Sequence, residues 1–326
     1  MPLKFLALIL LFVLLATGMR LVIRAFDKLV LGFSNRGKLA VAAILVALST
    51  SLPELFIAVA AGFSGQPEIS LANLLGANVV NMSLVVGGAT LVAGSLPIVG
   101  DYWRWELAAM FFAGLAPVLL LMDGGLSRLD GFILVVIYLL YLEGVVIDGK
   151  KKSVAEASVA HRRGLLTRVK EWHRKKKDGS IVVLFLGIAL MMFSAGLIVK
   201  LAAQMAPAFG MSTVVFGLVM VSLGTTLPEL TLAVGAAAKK EVALIMGNLF
   251  GSIVANATLI VGLLALISPF ETDNMANYSL VNMAFVVVFG LFWLFTSTKR
   301  RLDRFEGLIL VGVFFVFVGL ELMLRV

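Results

Sequence analysis

The fold class predicted by this sequence is an all-α polytopic membrane protein, with ten transmembrane helices arranged as two inverted five-helix repeats. Three observations predict it. The 326 residues are 61% hydrophobic and 14% charged, with a mean hydropathy of +1.06, far from the balance of a soluble domain. Apolar runs of roughly 18 to 27 residues, the length that crosses a bilayer core as helix, recur ten times. A polar string within one of these runs, TSLPEL, returns 175 residues later as TTLPEL.

The spans fall at about 3–23, 38–63, 69–95, 104–122, 128–148, 179–205, 211–236, 242–268, 279–297 and 305–324. Polar or Gly/Pro stretches such as SGQPE (64–68) and SPFETDN (268–274) separate them. Residues 1–19 also fit a cleaved signal peptide, but removing them would leave nine spans and break the repeat. Ten spans place 23 Lys and Arg on one side and only Lys4, Arg128, Lys200 and Arg325 on the other. By the positive-inside rule the rich side is cytoplasmic and both termini lie outside a cell (inner) membrane. This asymmetry accounts for the net charge of +8 without nucleic acid as a partner. The hydrophilic stretch 149–178 carries eleven of the cations. It divides the chain into a first repeat (1–148), a basic cytoplasmic linker (149–178) and a second repeat (179–326). Within the linker, Leu165, Leu166, Val169 and Trp172 are spaced for a short surface helix, though a solvated joint explains them as well.

Residues 49–81 align with 224–256 without a gap, and 13 of 33 positions are identical. Apolar segments match by chance at Leu, Ala and Val, but not together at Thr50/Thr225, Pro53/Pro228, Glu54/Glu229, Asn73/Asn248, Gly76/Gly251 and Asn81/Asn256. Each copy holds five spans. Five is odd, so the second copy enters from the opposite face, and the halves are related by a pseudo-two-fold axis in the membrane plane.

Glu54 and Glu229 lie deep in their spans, where an ionised carboxylate costs at least ~2.5 kcal/mol unless a cation, a proton or a polar cavity meets it. Pro53 and Pro228 precede them and break the helical ladder. The break is expected to free carbonyls about one turn upstream, near Ala47 and Ser222, which is tolerable at that depth only beside protein or a watery cavity. Hydroxyls of Thr50, Ser51, Thr225 and Thr226 add a third kind of oxygen, although Ser51 and Thr226 are also placed to back-bond to their own helix. Gly76 and Gly251 permit close helix approach. Asn73 and Asn248 are placed to satisfy freed backbone groups, and Asn81 and Asn256 to face the site. With no Cys, and with both His residues in the basic linker, soft-metal ligation inside the membrane has no donors, and oxygen ligands favour hard cations. A passive channel gains nothing from inverted halves. An intramembrane hydrolase lacks a nucleophile with its base.

TSLPEL…NLLGANVVN and TTLPEL…GNLFGSIVAN resemble the two alpha-repeats of the calcium/cation antiporter superfamily, and the prokaryotic sodium/calcium exchanger-like branch in particular, over essentially the whole chain. The resemblance implies a transporter rather than an enzyme, with no cofactor. It implies exchange of Ca2+ for Na+ by alternating access, the first and sixth spans sliding over a fixed core, and a monomer that functions in the lipid bilayer. It further implies a central Ca2+ site at Glu54 and Glu229 with Asn81 beside it. Flanking Na+ sites would use the carbonyls of Ala47 and Ser222 and the side chains of Thr50, Ser51, Thr225, Thr226 and Ser252. Three positions depart from the pattern: Ala77 where Ser is common, Asn256 where Asp is common, and Ile253 where Asn is usual. They leave two carboxylates instead of three, and they keep open an alternative, an antiporter of the same fold driven by H+ or carrying another cation.

Overall fold

The computed structural model describes residues 2–30, 50–97, 103–148, 180–272 and 276–325. Ala47, the first half of the second span and the linker 149–178 fall outside these. The described chain consists of α1 (Pro2–Val30), α2 (Leu52–Phe63), α3 (Pro67–Ala93), α4 (Trp103–Leu120), α5 (Arg128–Asp148), α6 (Ser180–Met205), α7 (Thr213–Thr225), α8 (Leu227–Ala238), α9 (Val242–Ile267), α10 (Ala276–Lys299) and α11 (Arg304–Arg325). Seven of the described helices are long and apolar enough to cross a membrane. The pair α7/α8, bent by 44°, adds an eighth as one broken span. The 21-residue α5 and the shorter apolar α2 occupy the places of the fifth span and the end of the second. The fold is the ten-helix inverted repeat.

Burial sorts the helices. The central window of α3 is 94% buried and that of α9 78%, against 28% for α1 and α11. The two spans carrying the Asn/Gly half of each motif therefore form the centre, and the outer helices offer Leu3, Leu6, Leu10, Phe305, Leu308 and Phe315 to lipid. Outside the centre, α1 and α6 pack along each other with their own apolar cluster, including Leu15, Met19, Val22, Met191 and Ile198. A Cβ on Gly18 would lie 3.0 Å from the Gly187 carbonyl oxygen, and one on Gly187 would lie 3.0 Å from that of Gly18, so this crossing depends on the missing side chains.

Two short ribbons fix how the halves relate. Strand β1 (Ser95–Pro97), after α3, pairs with β4 (Arg301–Asp303), between α10 and α11; β2 (Gly125–Leu126), before α5, pairs with β3 (Phe270–Glu271), after α9. A shift of 175 residues maps the start of β1 onto β3, and one of 176 maps β2 onto the start of β4. In these two ribbons, equivalent connections do not pair with each other. Each pairs with the connection one span out of phase in the other half, as the alternation requires when the second half is upside down. The turn after each broken span also repeats: Gln66 N–H donates to the Ala61 carbonyl and Glu241 N–H to that of Ala236, both at 2.9 Å. At the tip, Gly65 has φ 65° and its counterpart Lys240 φ 61°, so the second half uses a lysine where the conformation favours glycine.

The starts of α5 and α11 carry the same cap chemistry. Ser127 and Asp130 exchange bonds, Ser127 N–H to Asp130 Oδ2 (2.8 Å) and Asp130 N–H to Ser127 Oγ (3.2 Å). Asp303 N–H donates to Glu306 Oε2 (2.9 Å) and Glu306 N–H to Asp303 Oδ1 (3.1 Å). These are reciprocal capping boxes. Lys299 Nζ joins the second, 2.8 Å from Asp303 and 3.3 Å from Glu306, and holds the exposed Asp303 carboxyl below the usual range.

Candidate cation site

The second proline motif breaks its span as expected, and the first stands at the start of a helix. Ser51 (φ −84°, ψ 8°) precedes α2, and Thr226 (φ −85°, ψ 1°) stands between α7 and α8. These residues occupy equivalent positions, and each helix beyond them begins with Leu-Pro-Glu. Pro53 and Pro228 thus take early helical positions, where a missing N–H costs nothing. The break sets Glu54 and Glu229 into the first turn of α2 and α8, both with 0% exposure. None of the four carboxylate oxygens has a hydrogen-bond partner among the described residues. The Thr225 hydroxyl lies beside Glu54 but directs its proton to Asn73 Oδ1.

That last contact belongs to a symmetric pair. Thr225 Oγ1 donates to Asn73 Oδ1 at 3.1 Å, and Thr50 Oγ1 donates to Asn248 Oδ1 at 2.8 Å. Each threonine of one half is therefore tied to the central helix of the other. Sequence reasoning placed Asn73 and Asn248 as partners for freed backbone; in the structure they accept from the opposite repeat's hydroxyl instead. Only a three-dimensional crossing of the halves brings residues 152 and 198 apart in sequence into contact. Thr50 has a second neighbour, Ser252 Oγ at 3.0 Å. At the position matching Ser252, the first repeat has Ala77, fully buried, so Thr225 has no such hydroxyl and leans on the Ser222 carbonyl (3.2 Å).

The Ser222 carbonyl corrects one expectation. It is not freed by the break: it accepts the Thr226 N–H at 3.0 Å and the Thr226 hydroxyl at 2.7 Å. Pro228 withholds its missing N–H from the carbonyl four residues back, Gly224, rather than from Ser222. The Thr226 hydroxyl is thereby back-bonded to its own helix, one of the two readings open from sequence. Its counterpart Ser51 has a buried hydroxyl without a partner among the described residues. The carbonyl of Ala47 lies outside the described residues.

Both central helices widen into π-turns at the second half of the motif, Asn81–Val85 in α3 and Ala255–Ile260 in α9. Such turns concentrate at functional sites. Each is accompanied by a hydroxyl back-bond at equivalent positions, Ser83 to Val79 and Thr258 to Val254, both 2.5 Å. Asn81 and Asn256 sit in these turns, fully buried. Asn256 Nδ2 donates to Asn78 Oδ1 at 3.3 Å, while Asn256 Oδ1 and Asn81 Nδ2 are without partners among the described residues. Asn78 is the residue sequence reasoning missed. It lies in the aligned block, but opposite Ile253, so the search for matched polar pairs passed over it. A third π-turn, Gly217–Val221 in α7, packs on α3: a Cβ on Gly76 would come 2.3 Å from the Leu218 carbonyl oxygen, so the backbones touch. No cluster of three or more His, Cys, Asp or Glu residues exists among the described residues. The acidic complement of the site is the two glutamates.

Inverted halves, each with a helix that opens on a proline and a buried carboxylate, define the class: a secondary transporter of the membrane, in which repeats meet at a shared central site. The chain belongs to the sodium/calcium exchanger protein family, whose sequence profile matches residues 3–146 and 179–323. It is 31% identical over 322 residues to the inner membrane protein YrbG of Escherichia coli (strain K12), covering 94% of this chain and 95% of that one. It is 29% identical over 306 residues to the putative antiporter CaxA of Alkalimonas amylolytica, covering 91% and 94%. The sodium-calcium exchanger NCX_Mj, in crystals soaked with Na+ and Sr2+, superposes with a TM-score of 0.60 over 98% of this chain and 99% of that one at 24% identity, a likeness of fold. The protein is thus a multi-pass membrane antiporter and not an enzyme.

Proposed function

We propose that this antiporter exchanges Ca2+ for Na+ by alternating access, binding the ions where the two repeats cross. One observation carries the reading: Glu54 and Glu229 each stand four residues after a threonine that bonds across the repeats, and both are fully buried with no hydrogen-bond partner among the described residues for any carboxylate oxygen. Two buried unpaired anions demand positive charge from outside the protein, and one divalent cation neutralises both. Ca2+ takes about six to eight oxygens, which the two carboxylates, the Oδ1 of Asn256 and water can supply, with Asn81 beside them. Na+ would use the hydroxyls of Thr50, Ser51, Thr225, Thr226 and Ser252 with the carbonyls of Ala47 and Ser222; at Ser222 the ion has to displace the Thr226 hydroxyl. Support for both termini outside and a cytoplasmic linker comes from the 23-to-4 distribution of cations. The division into repeats at 1–148 and 179–326 accords with a family match that leaves out 147–178. We treat the monomer as the functional unit.

A second reading, exchange driven by H+ or of another cation, draws on Ala77 and Asn256. Without a third carboxylate, several Na+ bound together leave positive charge uncompensated in a region of low dielectric. Proteoliposomes separate the two readings. Ca2+ uptake is expected to follow an outward Na+ gradient and to ignore a pH gradient; uptake that follows pH and is indifferent to Na+ removes the Na+-coupled reading. The same account predicts that Ala77→Ser combined with Asn256→Asp strengthens Na+ several-fold as a competitor for bound Ca2+, because it restores a hydroxyl opposite Ser252 and a third charge. Na+ competition that does not move counts against this description of the site's charge.

A further inference from the structure

We propose that Asn78 is a positioning residue that turns the carbonyl oxygen of Asn256 toward the bound cation and makes position 256 a neutral rather than a charged donor. The assignment rests on the cation-site reading above. It follows from donor and acceptor logic that begins at one backbone atom. The Ile253 carbonyl has no hydrogen to give, so the end of the Asn78 amide facing it, at 3.5 Å, is Nδ2. The other end, Oδ1, can only accept. Asn256 has to meet it with Nδ2, at 3.3 Å. What remains of Asn256 is Oδ1, in a side chain with 0% exposure and without a hydrogen-bond partner among the described residues. An unpaired buried acceptor is costly, and a cation bound between the repeats relieves it.

The first repeat supplies a control. Asn81 is the counterpart of Asn256, and the residue that should anchor it, the counterpart of Asn78, is Ile253, which carries no amide. Asn81 Nδ2 is accordingly without a partner among the described residues. The Asn78/Ile253 asymmetry thus explains why one asparagine is anchored through its nitrogen and the other is not. It also explains why Asn stands at 256. A carboxylate there would set an oxygen against Asn78 Oδ1, with no proton between them. Asn78 cannot reverse its amide without turning that same oxygen onto the Ile253 carbonyl.

A double-mutant cycle with Asn78→Leu and Asn256→Asp tests this on purified full-length protein, reading Ca2+ affinity by titration calorimetry and the Na+ concentration that displaces Ca2+. Asn78→Leu alone is expected to weaken Ca2+ binding about fivefold to tenfold, the loss of one buried orienting bond. Asn256→Asp alone is expected to raise Na+ affinity only about twofold, the rest of the several-fold gain predicted above coming from Ala77→Ser; with Asn78→Leu also present, Na+ competes about tenfold better than in the single Asp variant. Strong non-additivity of this sign is the result expected. A purely structural Asn78 would lower the melting temperature and give effects that multiply within twofold, and that outcome overturns the assignment while leaving Ca2+ binding by the parent intact. Absence of Ca2+ binding by the parent protein removes the exchange reading and this one together. Should Asn78→Leu not fold, Asn78→Ala removes the same oxygen without adding bulk, and the same two outcomes apply.

Discussion

Replacing Glu54 by Gln is expected to reduce Ca2+ uptake into proteoliposomes by two to three orders of magnitude while the protein folds normally, and Glu229→Gln to do the same. The side chain keeps its shape and loses its charge. Both positions are fully buried with unpartnered oxygens, so no solvent screens the change. One carboxylate facing a divalent ion leaves a net positive charge in a medium of low dielectric, and breaking a buried charge pair in this way costs about 3–5 kcal/mol. Stability moves in the opposite direction. Without ions, the parent buries two carboxyl groups that have no hydrogen-bond partner among the described residues, and a neutral amide in place of one removes part of that desolvation cost. The Gln variants are therefore expected to melt no lower than the parent in chelator. They should lose the Ca2+-dependent rise in melting temperature that linkage gives the parent. A Glu54→Gln or Glu229→Gln protein that carries Ca2+ at the parental rate would show that the site lies elsewhere.

Gly76→Ala is expected to be nearly as damaging, through packing. A Cβ at residue 76 would lie 2.3 Å from the Leu218 carbonyl oxygen and 3.0 Å from two further backbone atoms of Leu218. Backbone cannot rotate away as a side-chain tip can, so α3 and the π-turn of α7 must separate. Overpacking of this kind costs about 1–3 kcal/mol. The shift acts on two groups at the site: Asn73 lies one turn from Gly76, and Thr225 lies beyond the π-turn, joined by a single 3.1 Å bond. Thermal unfolding followed by size exclusion should show the lowered melting temperature, and Ca2+ uptake should fall at least tenfold. Gly235→Ala is the control. It lies in α8 with no atom within 4 Å of its added Cβ, and it should change stability by less than about 0.5 kcal/mol. Equal behaviour of the two variants would contradict the close approach described here.

Ten-helix topology, inversion and the two acidic positions were legible in the residues. They depend on properties that are additive along a chain: apolar length, the count of cations on alternate sides, and identity at a fixed offset. A glutamate after proline in a lipid-length run is anomalous wherever the rest of the chain goes, and its recurrence at 175 residues makes the anomaly a design. Hydrogen-bond partners were not legible in the same way. The two threonines point to the opposite repeat because the halves cross, and no local pattern encodes that crossing. For Ser222, the sequence suggested a carbonyl released by proline. The helix kept it occupied because a hydroxyl one turn later was free to reach back.

Sequence by itself determined that this protein spans a membrane in two inverted halves and carries one carboxylate in each at depth, since burial in lipid leaves charge and length no alternative. Only the tertiary structure decided which oxygens are left unpaired. The hydroxyls of Thr50 and Thr225 meet the Oδ1 atoms of Asn248 and Asn73 across the repeats, while Glu54, Glu229 and the Oδ1 of Asn256 find no partner among the described residues, and that difference arises from distances between helices that meet only after the chain has folded.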